Sequence, residues 1–408
     1  MRVSTSMYQQ ASLNALLQQQ AKVSHTQQQL ATGKRILSPA DDPIAAANLV
    51  DINQTIAVYE QFNRNADIAE MRLTQEEGVL KSVSNALHRA RELAVQGNNE
   101  TYSASQRKDI AAEIRQILDE VMGLANTTDG NNNFLFAGTM SNTKPFTQIA
   151  PGEGQASTFI YNGDQAQRRI QIGPQRTVAD SDSGFEVFGK VRLNQIELGP
   201  IPSQNRNFAN DPDAIPPVTD RNAQFVIDGI TITLDQDYSN DFEAMRTAIE
   251  SQLNAGDQRY EVARERDFFF IRNATPGAGP VRVTVNDQNA LDAGFRSTSS
   301  MVSVFDALDR LAVALETDRM SGGRIDEIDS ALSHVIEFQS TIGSRLNSID
   351  RQRIVNDELI FRMDNIRSEM EDLDYASTIS KLNLQLTGMQ AAQQTFTKVQ
   401  NLSLFNYL

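Results

Sequence analysis

The stretch Ser38-Pro39-Ala40-Asp41-Asp42-Pro43 separates two segments of helical pattern near the start of the 408-residue chain. Asp42 is suited to cap a helix, because its carboxylate can accept from amides of the first turn, and Pro43 suits the first helical position. Beyond it, two rows of apolar residues recur at heptad spacing: Ile52, Tyr59, Ala66, Leu73, Leu80, Leu87 and Ala94, with Phe62, Ala69, Val83 and Ala90. The pattern predicts one long helix that ends at Gly97-Asn98-Asn99.

The two ends of the chain share an unusual composition. Their glutamine-rich segments contain no acidic residue, and between Met1 and Leu30 only Arg2 and Lys22 are charged. Apolar residues recur at three- and four-residue spacing in both segments, which indicates a coiled-coil seam. The seam positions, our candidate site residues, are Leu13, Leu16, Val23, Leu30, Ile379, Leu382, Leu386, Met389 and Phe396.

Each terminal helix is expected to have marginal stability in isolation, because the face opposite the seam carries few charged side chains that water could solvate. We therefore expect both ends to be poorly ordered in a free monomer and to fold on assembly. Glutamine suits this role, since it can bond to neighbouring subunits without the desolvation cost of a buried charge. An ordinary intramolecular coiled coil remains the alternative.

Further helices are predicted on both sides of the middle. A shorter helix spans about 103–125, and helical pattern returns at about Val302 and, after Ser321-Gly322-Gly323, from about Arg324. The order along the chain is thus helix, β, helix.

The middle of the chain changes to a two-residue period after the turn signal Asp129-Gly130. Residues 134–138 predict a short strand, and 157–162 with 168–172 predict a hairpin around Gly163-Asp164. Further strands are expected on both sides of Asp228-Gly229 and near 260–264, 268–271 and 281–285, with a helix over about 240–254.

These patterns predict a multidomain α+β protein. Long terminal helices form a coiled-coil or helical-bundle rod, and a β-rich domain is inserted between them. The predicted divisions are 1–33 with 375–408 for the terminal helices, 34–179 with 300–374 for the helical rod and its hairpin, and 180–299 for the inserted domain.

Composition excludes several classes of protein. The formal net charge of −15 opposes binding to nucleic acid or to an anionic membrane surface. The absence of cysteine excludes disulfides and thiolate metal sites. No apolar run is long enough for a transmembrane helix, and the first residues show no signal-peptide pattern.

Residues with catalytic or metal-binding chemistry form no motif. His25, His88 and His334 are expected on three separate helices. Asp235-Gln236-Asp237 resembles the start of a calcium loop but lacks the required glycine and glutamate, so a turn capped by Asn240 or Asp241 is the better interpretation. Asp180, Asp182, Asp211 and Asp213 are expected to lie exposed in loops. We expect no enzyme activity, cofactor or metal.

Two groups of residues resemble the bacterial flagellin superfamily. Leu30-Ala31-Thr32-Gly33-Lys34-Arg35-Ile36, followed by Ala40-Asp41-Asp42-Pro43-Ile44-Ala45, is similar to its N-terminal signature. Asp372-Leu373-Asp374-Tyr375-Ala376 and Ile342-Gly343-Ser344-Arg345-Leu346 resemble its C-terminal helices. Within the family, Asn133–Thr139 and the ending Leu402–Leu408 resemble the junction members that connect hook to filament, more than filament flagellins.

The resemblance implies a structural subunit of the extracellular flagellum. The terminal helices would form the inner layer of a tube, the inserted domain would face outward, and export would use the flagellar type III channel without a cleaved signal peptide. The implied partners are other copies in a homo-oligomeric ring, the other hook–filament junction protein (hook-associated protein 1), flagellin, and a cytoplasmic export chaperone at the C-terminal helix. Filament flagellin, an enzyme or sugar-binding module in the insert, and a cytoplasmic coiled-coil scaffold remain the alternatives.

Overall fold

The fold is described from a computed structural model that covers residues 5–149, 157–193, 195–211, 213, 220–256, 259–274, 281–296, 298–319 and 322–401. The chain forms two compact units. The first, the terminal unit, comprises Met1–Asn65, Ile172–Pro174 and Arg351–Leu408, and the second, the central unit, comprises Ala66–Gln171 and Gln175–Asp350. The predicted three-part division has different boundaries and remains a prediction.

Long helices at both ends and a β-rich middle confirm the predicted fold class. The helices of the described residues are α1 Thr5–Thr32, α2 Pro43–Gly97, α3 Ala104–Ala125, α4 Gly184–Phe188, α5 Phe242–Leu253, α6 Gln288–Ala293, α7 Val304–Glu316, α8 Gly322–Glu371 and α9 Tyr375–Asn401. Helix α2 begins at the predicted proline, and the Asp42 Oδ1 accepts from the Ala45 amide at 3.1 Å.

From Phe62 onward the heptad rows of α2 are buried as their spacing predicts, whereas Ile52 and Tyr59 are half-buried. Leu73, Leu80 and Leu87 are fully buried, and Ala69 and Ala90 of the second row are too. In the central unit α3 packs against α7, and the Arg115 guanidinium joins them through Glu316 at 2.6 and 3.0 Å. Burial of apolar side chains stabilises α2 in the unit, and the charged pair between Arg115 and Glu316 connects α3 to α7.

The strands are short. They are β1 Phe146–Ile149, β2 Thr158–Tyr161, β3 Arg169–Gly173, β4 Arg176–Ala179, β5 Val191–Arg192, β6 Ile196–Leu198, β7 Ala223–Ile227, β8 Ile230–Leu234, β9 Tyr260–Glu265, β10 Phe268–Asn273, β11 Arg282–Thr284, β12 Thr298–Ser299 and β13 Met301–Val302. The sheet orders are β1-β2, β3-β4, β13-β5, β6-β10-β9 and β12-β11-β7-β8.

The predicted hairpin at Asp228-Gly229 is confirmed as β7–β8, with Phe225 opposite Ile232. The sheets of this region and α5 and α6 share a core that includes Phe225 stacked on Phe295 at 4.4 Å. The predicted N-cap of α5 is also confirmed, since the Asp241 Oδ1 accepts from the Ala244 amide at 2.9 Å.

The predicted hairpin around Gly163-Asp164 is wrong. Strand β2 pairs with β1, the strand before it, and β3 pairs with β4, the strand after it. Strands β2 and β3 therefore do not pair with each other. The Asp164 carboxylate instead accepts from the Thr139 amide at 2.8 Å, which holds the connecting loop against residues 138–139.

The predicted strand at 134–138 is also wrong. These residues form turns, with Gly138 at a φ of +69°, and Leu135, Phe136 and Ala137 are buried. Phe136 packs edge-on against Phe188 at 5.0 Å. The middle of the run is apolar because it is buried, and apolar sequence alone does not distinguish this case from a buried strand.

A third expectation fails at the loop between β4 and α4. Asp180 is 0% exposed and Asp182 is 2% exposed, although acidic loop residues were expected to face solvent. Arginines from other segments pair with both carboxylates, which offsets the cost of burying charge.

Candidate assembly site at the paired ends of the chain

Helices α1 and α9 of the terminal unit pack directly against each other. At their contact the side-chain Nε2 of Gln19 donates to the backbone carbonyl oxygen of Gln385 at 3.0 Å. Gly388 lies opposite, and a Cβ built there would stand 3.2 Å from the Gln19 Nε2. A long glutamine side chain therefore lies on a small residue of the partner helix, which permits close approach of the two helices.

The nine seam positions have different environments. Val23 is buried at 5% exposure. Leu13 and Ile379 are exposed at 39% and 49%. The remaining six are half-buried: Leu16, Leu30, Leu382, Leu386, Met389 and Phe396.

Apolar side chains are exposed on both helices, and we call the following four together the outer face. It consists of Leu13 and Leu17 on α1 and Ile379 and Leu384 on α9. Leu17 is 53% exposed and Leu384 is 76% exposed. Beside Leu384 lies a shallow groove of 510 Å³ lined by Ser380, Asn383, Leu384, Thr387, Gly388 and Ala391.

A second contact joins the segment after α1 to the end of α8 and the two residues that follow it, and we call it the clasp (residues 33–35 with 370–373). The Arg35 amide donates to the Glu371 carbonyl at 2.6 Å, and the Leu373 amide donates to the Gly33 carbonyl at 2.9 Å. Lys34 and Asp372 form the antiparallel bridge between these bonds. The clasp thus connects segments that are more than 300 residues apart in the sequence.

Charge and capping strengthen the clasp. The Arg35 guanidinium donates to the Met370 carbonyl at 2.8 and 3.2 Å, and the Lys34 ammonium pairs with Glu371. The last carbonyls of a helix lack intrahelical partners and carry the negative end of its dipole. The Arg35 side chain therefore satisfies a carbonyl at the C-terminal end of α8, and the Lys34 ammonium pairs with a side chain of the same turn.

Gly33 makes the clasp possible. Its φ is +71°, and a Cβ would stand 2.8 Å from the Tyr375 hydroxyl. Glycine reaches this left-handed conformation without steric cost, so the chain can leave α1 sharply and run beside residues 371–373.

The segment between α1 and α2 is ordered by two aspartates. The Asp41 Oδ2 accepts from the Ser38 and Leu37 amides at 2.9 and 3.0 Å, and these bonds, together with His25 at 2.8 Å, lower the pKa of Asp41. The Ala45 amide likewise lowers the pKa of Asp42. Both carboxylates therefore remain ionised and keep their backbone bonds.

The sequence did not reveal the clasp as a functional contact. Its residues lie in the two motifs that carried the family resemblance, and Gly33 is a recognisable helix stop. Neither signal says which distant segment is the partner. The geometry has the properties of a scaffold: side chains cap and pair, and no group of three or more histidine, aspartate or glutamate side chains in the described ranges is placed to hold a metal ion.

The ends of the chain match known protein families. The bacterial flagellin N-terminal helical region matches residues 3–141, and the bacterial flagellin C-terminal helical region matches residues 325–408. A flagellin from Listeria innocua is 30% identical over 215 residues, which cover 49% of this chain and 74% of that protein. The chain belongs to the bacterial flagellin family. It is a structural protein of the flagellum, as the sequence predicts.

Two further relatives of this chain are named flagellar hook-associated protein 3 and not flagellin. The flagellar hook-associated protein 3 of Escherichia coli is 24% identical over 405 residues, which are 99% of each chain. That of Salmonella typhimurium is 32% identical over 196 residues, covering 48% of this chain and 59% of the relative.

A solved structure shares the fold. A flagellar hook-associated protein-3 from Legionella pneumophila superimposes with a TM-score of 0.54 and 22% identity, covering 78% of this chain and 98% of that one. None of the helices within the described ranges is long and apolar enough to cross a membrane.

Proposed function

We propose that this chain is the adaptor subunit of the hook–filament junction, a hook-associated protein 3 on which the filament assembles. The observation that carries the proposal is the alignment with the Escherichia coli hook-associated protein 3, which includes 99% of both chains. The alignment therefore extends through the middle of the chain as well as the family's helical ends.

The junction-type motif at 133–139 supports this proposal. Its apolar residues form the buried turn that packs on Phe188, and Gly138 approaches Asp164 so closely that a Cβ would stand 2.5 Å from the Asp164 carbonyl oxygen. The motif therefore has a structural role in the central unit. The other junction-type motif, Leu402–Leu408, lies outside the described residues.

The outer face supports assembly with other copies. Exposure of Leu17 and Leu384 to water is unfavourable, and helices α1 and α9 carry few charged side chains that would keep this surface hydrated. Contact with another protein would remove these apolar side chains from water. When one copy uses different surfaces to contact neighbours on either side, the contacts close a ring or continue as a helix. We therefore propose a homo-oligomeric ring in which the outer face of one copy packs on the terminal helices of the next. Hook-associated protein 1 and flagellin are the proposed neighbours at its two ends.

Filament flagellin is the second candidate. A flagellin D from Vibrio cholerae is 24% identical over 363 residues, which cover 87% of this chain. Both candidates predict an exported flagellar subunit, and its location along the flagellum distinguishes them.

The location is tested by immunogold labelling of intact flagella with an antibody against residues 180–299. The junction proposal predicts one band of label where the hook meets the filament. Label along the whole filament would make the chain a flagellin, and flagella without label would contradict both candidates. Cells that lack the protein provide the control for antibody specificity.

The two surfaces of α9 are tested by one substitution in each. Leu386→Asp places a charge in the half-buried seam and is expected to weaken pairing with α1 by about 2 kcal/mol or more. Leu384→Asp alters an exposed side chain and is expected to leave pairing unchanged while preventing incorporation into flagella. Amide hydrogen exchange of α1 measures pairing, and recovery in sheared flagella measures incorporation.

Leu386→Met preserves volume and is the matched control for the seam, and Gln390→Asp is a control for aspartate on an exposed part of the same helix. Normal incorporation of Leu384→Asp would contradict the role of the outer face.

We also propose that α9 binds a cytoplasmic export chaperone before assembly, since its apolar face would otherwise be unprotected in the cell. A variant ending at Tyr375 should fail to capture the chaperone from cytoplasmic extract, whereas a variant lacking residues 1–33 should capture it. Equal capture by both variants and the intact chain would exclude this site.

A further inference from the structure

The loop between β4 and α4 is enclosed in the central unit. All four residues from Asp180 to Ser183 are at most 3% exposed. Backbone that is buried without regular structure needs polar partners. Here the partners include charged side chains from several distant segments, so the loop is a point at which those segments are joined.

Three arginines pair with three aspartates around this loop. The Arg345 guanidinium, on α8, donates to both oxygens of Asp182 at 2.7 and 2.9 Å. Arg168 donates to Asp180 at 2.9 and 3.1 Å. Arg72, on α2, contacts Asp129 at 3.2 Å and Asp180 at 3.7 Å. The formal charges of these six groups balance one another.

Glu76 is a seventh ionisable group in the same cluster. It lies one turn after Arg72 on α2 and is 1% exposed. Its Oε1 accepts from the Asp182 amide at 3.2 Å, and its Oε2 has no hydrogen-bond partner among the described residues. Because the other charges are balanced, an ionised Glu76 would add an uncompensated negative charge in a buried place.

The groups that face Glu76 explain its preference for the neutral form. Burial, followed by the nearby Asp182 carboxylate, raises the pKa of Glu76 well above its usual range. Arg345 and Arg72 act in the opposite direction without reversing the shift, since they are already paired with Asp182, Asp129 and Asp180. Glu76 is therefore neutral under conditions where an exposed glutamate is ionised.

We propose that Glu76 is a proton-linked lock of the central unit: it is protonated when α2 is packed on the buried loop, and loss of its proton loosens that packing. The sign follows from linkage. A group that holds its proton more tightly in the folded state contributes its full stability below its unfolded pKa, and that stability is lost as pH rises through the folded pKa. Glu76 thus contributes stability to the central unit in acidic medium, and this contribution is lost in alkaline medium.

The test is denaturant unfolding of the full chain at several pH values, with Glu76→Gln compared with the native sequence. Glutamine keeps the size of the side chain and cannot ionise. Between the unfolded and the folded pKa, this one group makes the unfolding equilibrium constant rise up to about tenfold per pH unit. Glu76→Gln should lose that part of the slope. Glu120→Gln, an identical change on an exposed part of α3, should retain it.

A direct measurement does not depend on how the variant folds. Carbon NMR of the Glu76 side-chain carboxyl in the native sequence should show that it keeps its proton well above the ordinary glutamate range. Titration of Glu76 with an ordinary glutamate pKa would overturn the proposal, and so would equal pH slopes for Glu76→Gln and Glu120→Gln.

Discussion

The terminal unit depends on how α8 ends. Its last carbonyls are bonded by the segment after α1: the Arg35 guanidinium donates to the Met370 carbonyl, and the Arg35 amide donates to the Glu371 carbonyl. The Lys34 ammonium pairs with the Glu371 carboxylate beside them. The same bonds fix where α1 ends and where α9 begins. Local capping therefore becomes a long-range constraint, because the capping groups come from the opposite end of the chain.

Once the clasp is formed, pairing of α1 with α9 follows from geometry. Helix α1 ends and helix α9 begins at the clasp, and Gly33 gives the backbone the sharp turn that this arrangement requires. The buried Val23 and the bond from Gln19 to Gln385 then hold the pair along its length. The pair leaves Leu17 and Leu384 exposed, so the structure that joins the ends of one chain also leaves apolar side chains uncovered. This connection between intrachain pairing and assembly is the basis of the proposed role at the junction.

Elements with repeated local patterns were predicted well from the sequence. The rows at Leu73, Leu80 and Leu87 are buried, and the caps at Asp42 and Asp241 are formed. Predictions failed where the partner is distant or the environment is unusual. The apolar run at 134–138 is an enclosed turn, and Asp180 and Asp182 are buried because arginines from α8 and from the loop before β3 reach them. The clasp was missed for the same reason, since nothing local at Gly33 identifies residues 371–373 as its partner.

The most direct test of the account is whether α1 and α9 of one chain touch as described. The chain contains no cysteine, so Gln19→Cys with Gly388→Cys introduces the only two thiols. The composition of the two ends led us to expect little order in a free chain, whereas the structure pairs them within one chain. Treatment of the dilute purified double variant with a short thiol cross-linker should therefore give an internally linked monomer, and a mixture of the two single variants should give none. Absence of a link in the double variant, or linked dimers as its main product, would contradict pairing of the two ends within one chain.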